Sequence, residues 1–129
     1  MIVIFHNPAC ETSRNVLAFI RAVEEPVVIP CLDTGWTRPQ LLALFAAAGV
    51  TPRQVLRTSG TQAGALGLTD PAVPDEAILQ AMVADPILVN RPFVASPKGT
   101  RLCRPSERVI ALLPRDPGPL TKEDGATVG

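Results

Sequence analysis

The sequence IVIFHNPACETSRNVLAFIRAVEEPVVI, residues 2–29, decides how the N-terminal part of this chain folds. Residues 2–5 and 27–29 are short apolar runs rich in β-branched side chains, which is typical of buried strands. Between them, Thr12 or Ser13 can cap a helix whose apolar residues recur at helical spacing. A crossover of about 20 residues between two strands favours a parallel pair, so the sequence predicts a β-α-β unit.

The middle of the chain, about residues 37–85, is predicted to be a helical insertion. Thr37 can cap a helix that ends at Gly49, because glycine readily adopts the left-handed conformation that closes helices. Residues 58–69 are rich in Gly, Thr and Ala, which predicts a loop with a short helix. A further helix is predicted over residues 77–84.

The last third of the chain is predicted to be β-β-α. Residues 93–96 and 100–103 have the composition of strands, and the Pro-Lys-Gly sequence at 97–99 between them predicts a hairpin. A helix is predicted over 105–113. The Pro- and Gly-rich tail, residues 114–129, is expected to be extended or frayed.

The predicted fold class is α/β, in one domain spanning residues 1–129. The helical insertion lies between the N-terminal β-α-β unit and the C-terminal β-β-α unit. This order of elements is that of a thioredoxin-like fold, although periodicity alone supports only the α/β class.

The composition excludes several functional classes. The 129 residues carry 12 basic and 12 acidic side chains, and a neutral chain of this kind is not expected to bind nucleic acid through its surface. No apolar run approaches the ~18 residues of a membrane span, and no signal peptide is indicated, so a cytoplasmic location is expected. The three cysteines form neither a disulfide framework nor a metal-ligand spacing, and no metal is expected.

Cys10 is the candidate nucleophile. It follows the first predicted strand and precedes the first helix, where backbone N–H groups and the helix dipole stabilise an anion such as a thiolate. Ser13 completes a Cys-x-x-Ser pattern, and its hydroxyl can donate to the sulfur. Because position 13 is not cysteine, a redox cycle through Cys10 needs an outside thiol or a distant cysteine. The alternative is that Cys10 is a small buried residue at a strand end.

Arginine supplies most of the positive charge, and its planar fork matches tetrahedral oxyanions. Arg91 and Arg104 each precede a proline, so they are candidates for a fixed anion site. Arg57 lies in an otherwise uncharged run. Arg101 and Arg108 are expected to be solvated surface residues.

Residues 6–15, HNPACETSRN, closely resemble the active-site segment of the glutaredoxin-coupled arsenate reductases, the ArsC family. The likeness continues at residues 55–57, 86–92, 99–107 and 121–125. It implies a thioredoxin-like fold with Cys10 as the nucleophile, a cationic His6 that favours the thiolate, and a cis Arg91–Pro92 bond. It also implies three oxyanion-binding arginines, namely Arg57, Arg91 and Arg104.

The resemblance implies reduction of arsenate to arsenite. Glutathione is then the co-substrate, glutaredoxin the protein partner, and no tightly bound cofactor is needed. Two alternatives stay open: an ArsC-like thiol-disulfide or deglutathionylating protein, and a regulator like Spx without arsenate reductase activity. Proteins of the Spx type carry Cys-x-x-Cys where this chain has Cys10 and Ser13. Two departures from the family are Glu11, next to the nucleophile, and the short tail, while Cys31 and Cys103 are expected to be buried structural residues.

Overall fold

The computed structural model describes residues 1–128, which form two compact units. The sheet unit comprises Met1–Pro30 and the chain from Arg91 onward, and the helical unit comprises Cys31–Asn90. The prediction that the chain is one domain with an insertion at 37–85 stays a prediction.

A four-stranded sheet organises the sheet unit. Strand β1 (Val3–His6) pairs in parallel with β2 (Val27–Pro30) and antiparallel with β3 (Phe93–Ser96). Strand β3 continues through a tight turn into β4 (Gly99–Leu102), so the strand order is β2-β1-β3-β4. The predicted β-α-β unit and the predicted hairpin are both confirmed.

Helix α1 (Glu11–Arg21) lies between β1 and β2 in the chain and buries one apolar face in the core of the sheet unit. Its side chains Val16, Phe19 and Ile20 are almost fully buried, as the helical spacing of these positions requires. Their partners come from the strands and from the last helix. The core cluster comprises Ile2, Ile4, Val16, Phe19, Ile20, Val94, Cys103, Val109, Leu112 and Leu113.

The last helix was predicted over 105–113 and is present as a 3₁₀ helix, Ser106–Leu112. Its backbone hydrogen bonds join residues three positions apart, as expected for a 3₁₀ helix. The N–H of Arg108 donates to the carbonyl of Pro105, and the N–H of Leu113 donates to the carbonyl of Ile110. Val109 and Leu112 of this helix are buried in the core cluster, so the predicted helix is confirmed with 3₁₀ geometry.

The tail, which was expected to be extended or frayed, contains a short hairpin that was not predicted. Strands β5 (Leu120–Thr121) and β6 (Thr127–Val128) pair antiparallel and form a hairpin. Its apolar residues Leu120 and Val128 pack, partly buried, against the core cluster of the sheet unit. This packing stabilises a pairing that the Pro- and Gly-rich composition of the tail did not indicate.

The helical unit contains α2 (Cys31–Thr34), α3 (Arg38–Ala48) and α4 (Asp75–Ala84), with 3₁₀ helices at Arg53–Val55 and Pro86–Leu88. The predicted cap of α3 is confirmed. Thr37 accepts a hydrogen bond from the backbone of Gln40 in a capping box, and Gly49 closes the helix at φ 68°.

One local prediction for the helical unit needs correction. The segment 58–69 forms successive turns instead of including a short helix. Side-chain hydrogen bonds satisfy backbone groups in this segment; for example, the Thr61 hydroxyl donates to the carbonyl of Arg57. None of the helices within residues 1–128 is long and apolar enough to cross a membrane.

Candidate active site

Cys10 occupies the N-cap position of α1, directly after the loop that leaves β1. The loop is held by Asn7, whose carbonyl accepts from the Cys10 N–H at 3.0 Å and whose Oδ1 accepts from the Ala9 N–H at 2.9 Å. The expectation that Thr12 or Ser13 caps the helix is wrong, because both lie inside its first turn. The predicted placement of Cys10 at the helix N-terminus is correct.

The surroundings of Cys10 favour its thiolate. Burial raises the pKa of the Cys10 thiol, but the backbone N–H of Ser13 and the guanidinium groups of Arg104 and Arg91 outweigh burial and lower the pKa overall. Hydrogen bonds and positive charge stabilise the ionised form more than its desolvation penalises it. The sulfur is therefore disposed to be a nucleophile near neutral pH.

Arg104 provides the direct contact with the sulfur. Its Nη1 lies 3.5 Å from Cys10 Sγ and also donates to the carbonyl of Arg91 at 2.9 Å. Arg91 is buried, with 8% of its surface exposed. The Arg91–Pro92 bond is cis, as predicted, and the Arg104–Pro105 bond is cis as well, which was not predicted. Two of the three predicted oxyanion arginines thus lie beside Cys10.

His6 and Ser13 form a buried pair, with Nδ1 of His6 2.6 Å from the Ser13 hydroxyl oxygen. That oxygen also accepts from the backbone N–H of Asn7 at 3.0 Å. Burial, followed by the charges of Arg21 and Arg14, lowers the pKa of His6, so the imidazole is neutral at neutral pH.

These contacts change how His6 and Ser13 are placed to support the Cys10 thiolate. A cationic His6 was expected to favour the thiolate, whereas its lowered pKa makes it a neutral partner of Ser13. The Ser13 hydroxyl was expected to reach the sulfur, whereas it is engaged with His6 and Asn7. Ser13 instead supports the thiolate through its backbone N–H.

Arg57, the third predicted oxyanion arginine, belongs to the helical unit. Its backbone N–H donates to the carbonyl of Leu88 at 2.8 Å, and its Nη1 donates to Oδ1 of Asn90 at 3.4 Å. A β-bridge between Leu56 and Val89 fixes the two segments side by side. The oxyanion-binding role of Arg57 stays a prediction.

Cys31 and Cys103 are both buried, as expected. Burial raises the pKa of the Cys103 thiol to about 12, which keeps it protonated and unreactive at neutral pH. Glu11, next to the nucleophile, is exposed, so its carboxylate reaches solvent. No group of three or more metal-ligating side chains is found within residues 1–128.

Two residues that hold the Cys10 loop were missed at the level of sequence. The Asn7-Pro8 dipeptide is a typical turn signal and could have identified Asn7. Arg14 donates from Nη1 to the carbonyl of Pro8 at 2.9 Å, and nothing in the local sequence indicates that contact.

The fold and site define a thiol-dependent protein of the α/β class, with a helix-capped thiolate beside two arginines. The ArsC family model matches residues 5–112, and the chain belongs to that family. An arsenate reductase, ArsI2, of Synechocystis sp. is 58% identical over 99% of this chain and 93% of its own length. The arsenate reductase of Escherichia coli K12 is 46% identical over 98% of this chain and 92% of its own length.

The solved structures agree with this assignment. The arsenate reductase from Vibrio cholerae superposes with a TM-score of 0.81 at 33% identity, covering 87% of this chain and 97% of that one. A putative arsenate reductase from Yersinia pestis gives a TM-score of 0.76, also at 33% identity, covering 84% of this chain and 97% of that one. The thioredoxin-like fold predicted from the sequence is confirmed.

Proposed function

We propose that this chain reduces arsenate to arsenite, with the Cys10 thiolate as the nucleophile. The observation that carries the proposal is the thiolate environment, in which the Ser13 N–H, Arg91 and Arg104 lower the pKa of Cys10. Relatives named arsenate reductase at 46–58% identity support arsenate as the substrate. The arginines suit it because guanidinium groups bind tetrahedral oxyanions through two parallel N–H donors.

The first step is attack of the Cys10 sulfur on arsenic. A sulfur–arsenic bond forms, an arsenic–oxygen bond breaks, and the departing hydroxide is protonated to water. Arg91 and Arg104 offset the charge of the bound anion and of the transition state. No electron is transferred yet, so arsenic remains in its pentavalent state.

Reduction requires thiols from outside the chain. Glutathione displaces a second oxygen as water and binds arsenic through sulfur. Both arsenic–sulfur bonds then break. One of their two electron pairs forms the disulfide between Cys10 and glutathione, and the other stays on arsenic, which takes up water and leaves as trivalent arsenite. A glutaredoxin thiolate attacks the glutathione sulfur and releases the Cys10 thiolate.

The chain's own residues support this choice of reductant. Position 13 is serine, so Cys10 has no resolving cysteine at the Cys-x-x-Cys spacing. Cys103 lies in the core with a pKa of about 12, which makes it a poor attacking thiol. Since the thiols supply both electrons, the cycle needs no tightly bound cofactor, and we place it in the cytoplasm, where glutathione is kept reduced.

The test is arsenate turnover coupled to glutathione, glutaredoxin, glutathione reductase and NADPH. We expect arsenate-dependent NADPH oxidation that falls to background when either glutathione or glutaredoxin is omitted, and arsenite as the product. Phosphate in place of arsenate serves as the control and is expected to give no oxidation. Turnover with glutaredoxin but no glutathione would contradict the proposed reductant, and no turnover in the complete mixture would contradict the activity.

A further inference from the structure

We infer that Glu123 of the C-terminal hairpin is a positioning residue for Cys10, acting through Arg14 and the carbonyl of Pro8. The inference extends the proposed function, since it concerns the same nucleophile. It concerns a segment, β5 and β6, that contributes none of the residues so far placed at the sulfur.

Arg14 connects the hairpin to the Cys10 loop. Its Nε and Nη2 donate to the two carboxylate oxygens of Glu123, at 2.9 Å to Oε2 and 3.0 Å to Oε1. Its remaining terminal nitrogen, Nη1, donates to the carbonyl of Pro8 at 2.9 Å. A bidentate pair fixes the plane of a guanidinium group, so the carboxylate determines where Nη1 points.

Glu123 is itself fixed in place by its backbone. Its N–H donates to Oδ1 of the buried Asn15 in α1 at 3.0 Å. Its neighbour Lys122 pairs with Glu107 at 2.6 Å, and the Lys122 N–H donates across the hairpin to the carbonyl of Ala126 at 2.8 Å. The hairpin therefore presents the Glu123 carboxylate to α1 from a defined position.

The Pro8 carbonyl matters because Pro8 lies two residues before the nucleophile, in an exposed stretch of the loop. Asn7 holds the loop from the buried side, through its bonds to Ala9 and Cys10. Arg14 holds it from the exposed side. We expect release of Pro8 to let the sulfur move away from the Ser13 N–H and from Arg104, the two largest influences that lower its pKa.

The experiment measures the rate at which iodoacetamide alkylates Cys10 across a pH range, with the Cys10 peptide quantified by mass spectrometry. In Glu123→Gln we expect the apparent thiol pKa to rise by about 0.5, which slows alkylation about threefold below the pKa. Loss of the Glu123 charge alone acts in the opposite direction, because it leaves Arg14, whose charge interacts with Cys10, without that carboxylate, so a rise reports displacement of the sulfur. The effect is modest because the Arg14–Glu123 pair is exposed, with 41% and 44% of the side chains accessible. We expect the melting temperature to stay within about 3 °C of the wild type.

The matched control is Glu25→Gln. Glu25 makes the same bidentate pair with Arg21 on α1, at 3.0 and 3.1 Å, and is at least as exposed. Arg21 also acts on the pKa of His6, as Arg14 does, but donates to no carbonyl of the loop among the described hydrogen bonds. The control therefore removes the carboxylate partner of another arginine of α1 and is expected to leave the thiol pKa unchanged.

A second variant, Arg14→Lys, keeps the positive charge but lacks the guanidinium group that contacts Glu123 and the Pro8 carbonyl at the same time. We expect the same rise in thiol pKa, and no further rise when it is combined with Glu123→Gln, since both act through one chain of contacts. Equal shifts in Glu123→Gln and Glu25→Gln, or no shift in either, would overturn the inference. So would a large fall in melting temperature with an unchanged thiol pKa, which is the result of a purely structural role.

The readout separates this inference from the proposed function, because alkylation requires no arsenate. A wild type that fails to turn over arsenate while Glu123→Gln raises the thiol pKa refutes the proposed function alone. Normal arsenate turnover with an unshifted thiol pKa in Glu123→Gln refutes the positioning role alone.

Discussion

Cys10→Ser is expected to lower arsenate turnover by at least about 10³-fold, with the fold intact. A serine hydroxyl ionises far less readily than a thiol. The Ser13 N–H and Arg104 stabilise an anion at this position but do not remove a proton from a hydroxyl. Nδ1 of the neutral His6 lies 2.6 Å from the Ser13 hydroxyl oxygen. Initial rates in the coupled assay give the measurement.

The matched control for this loss is Cys31→Ala, which removes another buried thiol from the chain. We expect it to retain turnover within about twofold per folded molecule, with melting curves used to verify folding. Cys10→Ser that turns over arsenate at the rate of the wild type would contradict the assignment of the nucleophile. Loss of turnover in Cys31→Ala at an unchanged melting temperature would show that a second thiol takes part.

Arg104→Ala is expected to lower kcat/KM for arsenate about 10²-fold at neutral pH. Its Nη1 contacts both Cys10 Sγ, at 3.5 Å, and the carbonyl of Arg91, at 2.9 Å. The alanine variant therefore loses the cation that lowers the thiol pKa. It also loses the hydrogen bond that holds the backbone carbonyl of Arg91. Arg104→Lys keeps the positive charge but lacks the planar guanidinium group, and we expect it to lower kcat/KM by about tenfold.

The pH profile identifies the cause of the Arg104 effect. Because the cation lowers the thiol pKa, its removal raises that pKa, and the thiolate then forms only at higher pH. The deficit of Arg104→Ala should thus be largest at acidic pH and narrow towards about pH 9. The control is Arg108→Ala, an exposed arginine four residues on, which is expected to leave the profile unchanged. A deficit that is constant across pH would contradict a role in stabilising the thiolate.

Local sequence patterns were sufficient to predict most strands and helices of the sheet unit. Strands β1 and β2 and helix α1 follow from apolar spacing, and that spacing placed Cys10 at the helix N-terminus. The cap of α3 was equally predictable, since Thr37 and Gly49 act on their immediate neighbours. The positions of Arg91 and Arg104 beside the sulfur came from the resemblance and from their neighbouring prolines, and the structure brings both to Cys10.

Long-range contacts account for what the sequence did not predict. The Arg14–Glu123 pair joins residues 109 positions apart, and no local pattern indicates it. The hairpin of β5 and β6 depends on packing against the core, which composition does not reveal. The roles of His6 and Ser13 changed because burial lowers the pKa of the imidazole and engages the hydroxyl. Each of these facts requires the folded chain.

The most direct test of the account is a pH titration of the Cys10 thiolate by its ultraviolet absorbance, with Cys10→Ser as the blank. We predict an apparent pKa below the ~8.5 of an unperturbed thiol. Sulfate, an unreactive tetrahedral anion, should raise that pKa when it occupies the arginines, because a second negative charge beside the sulfur disfavours the thiolate. An apparent pKa at or above ~8.5 that sulfate does not change would contradict the account.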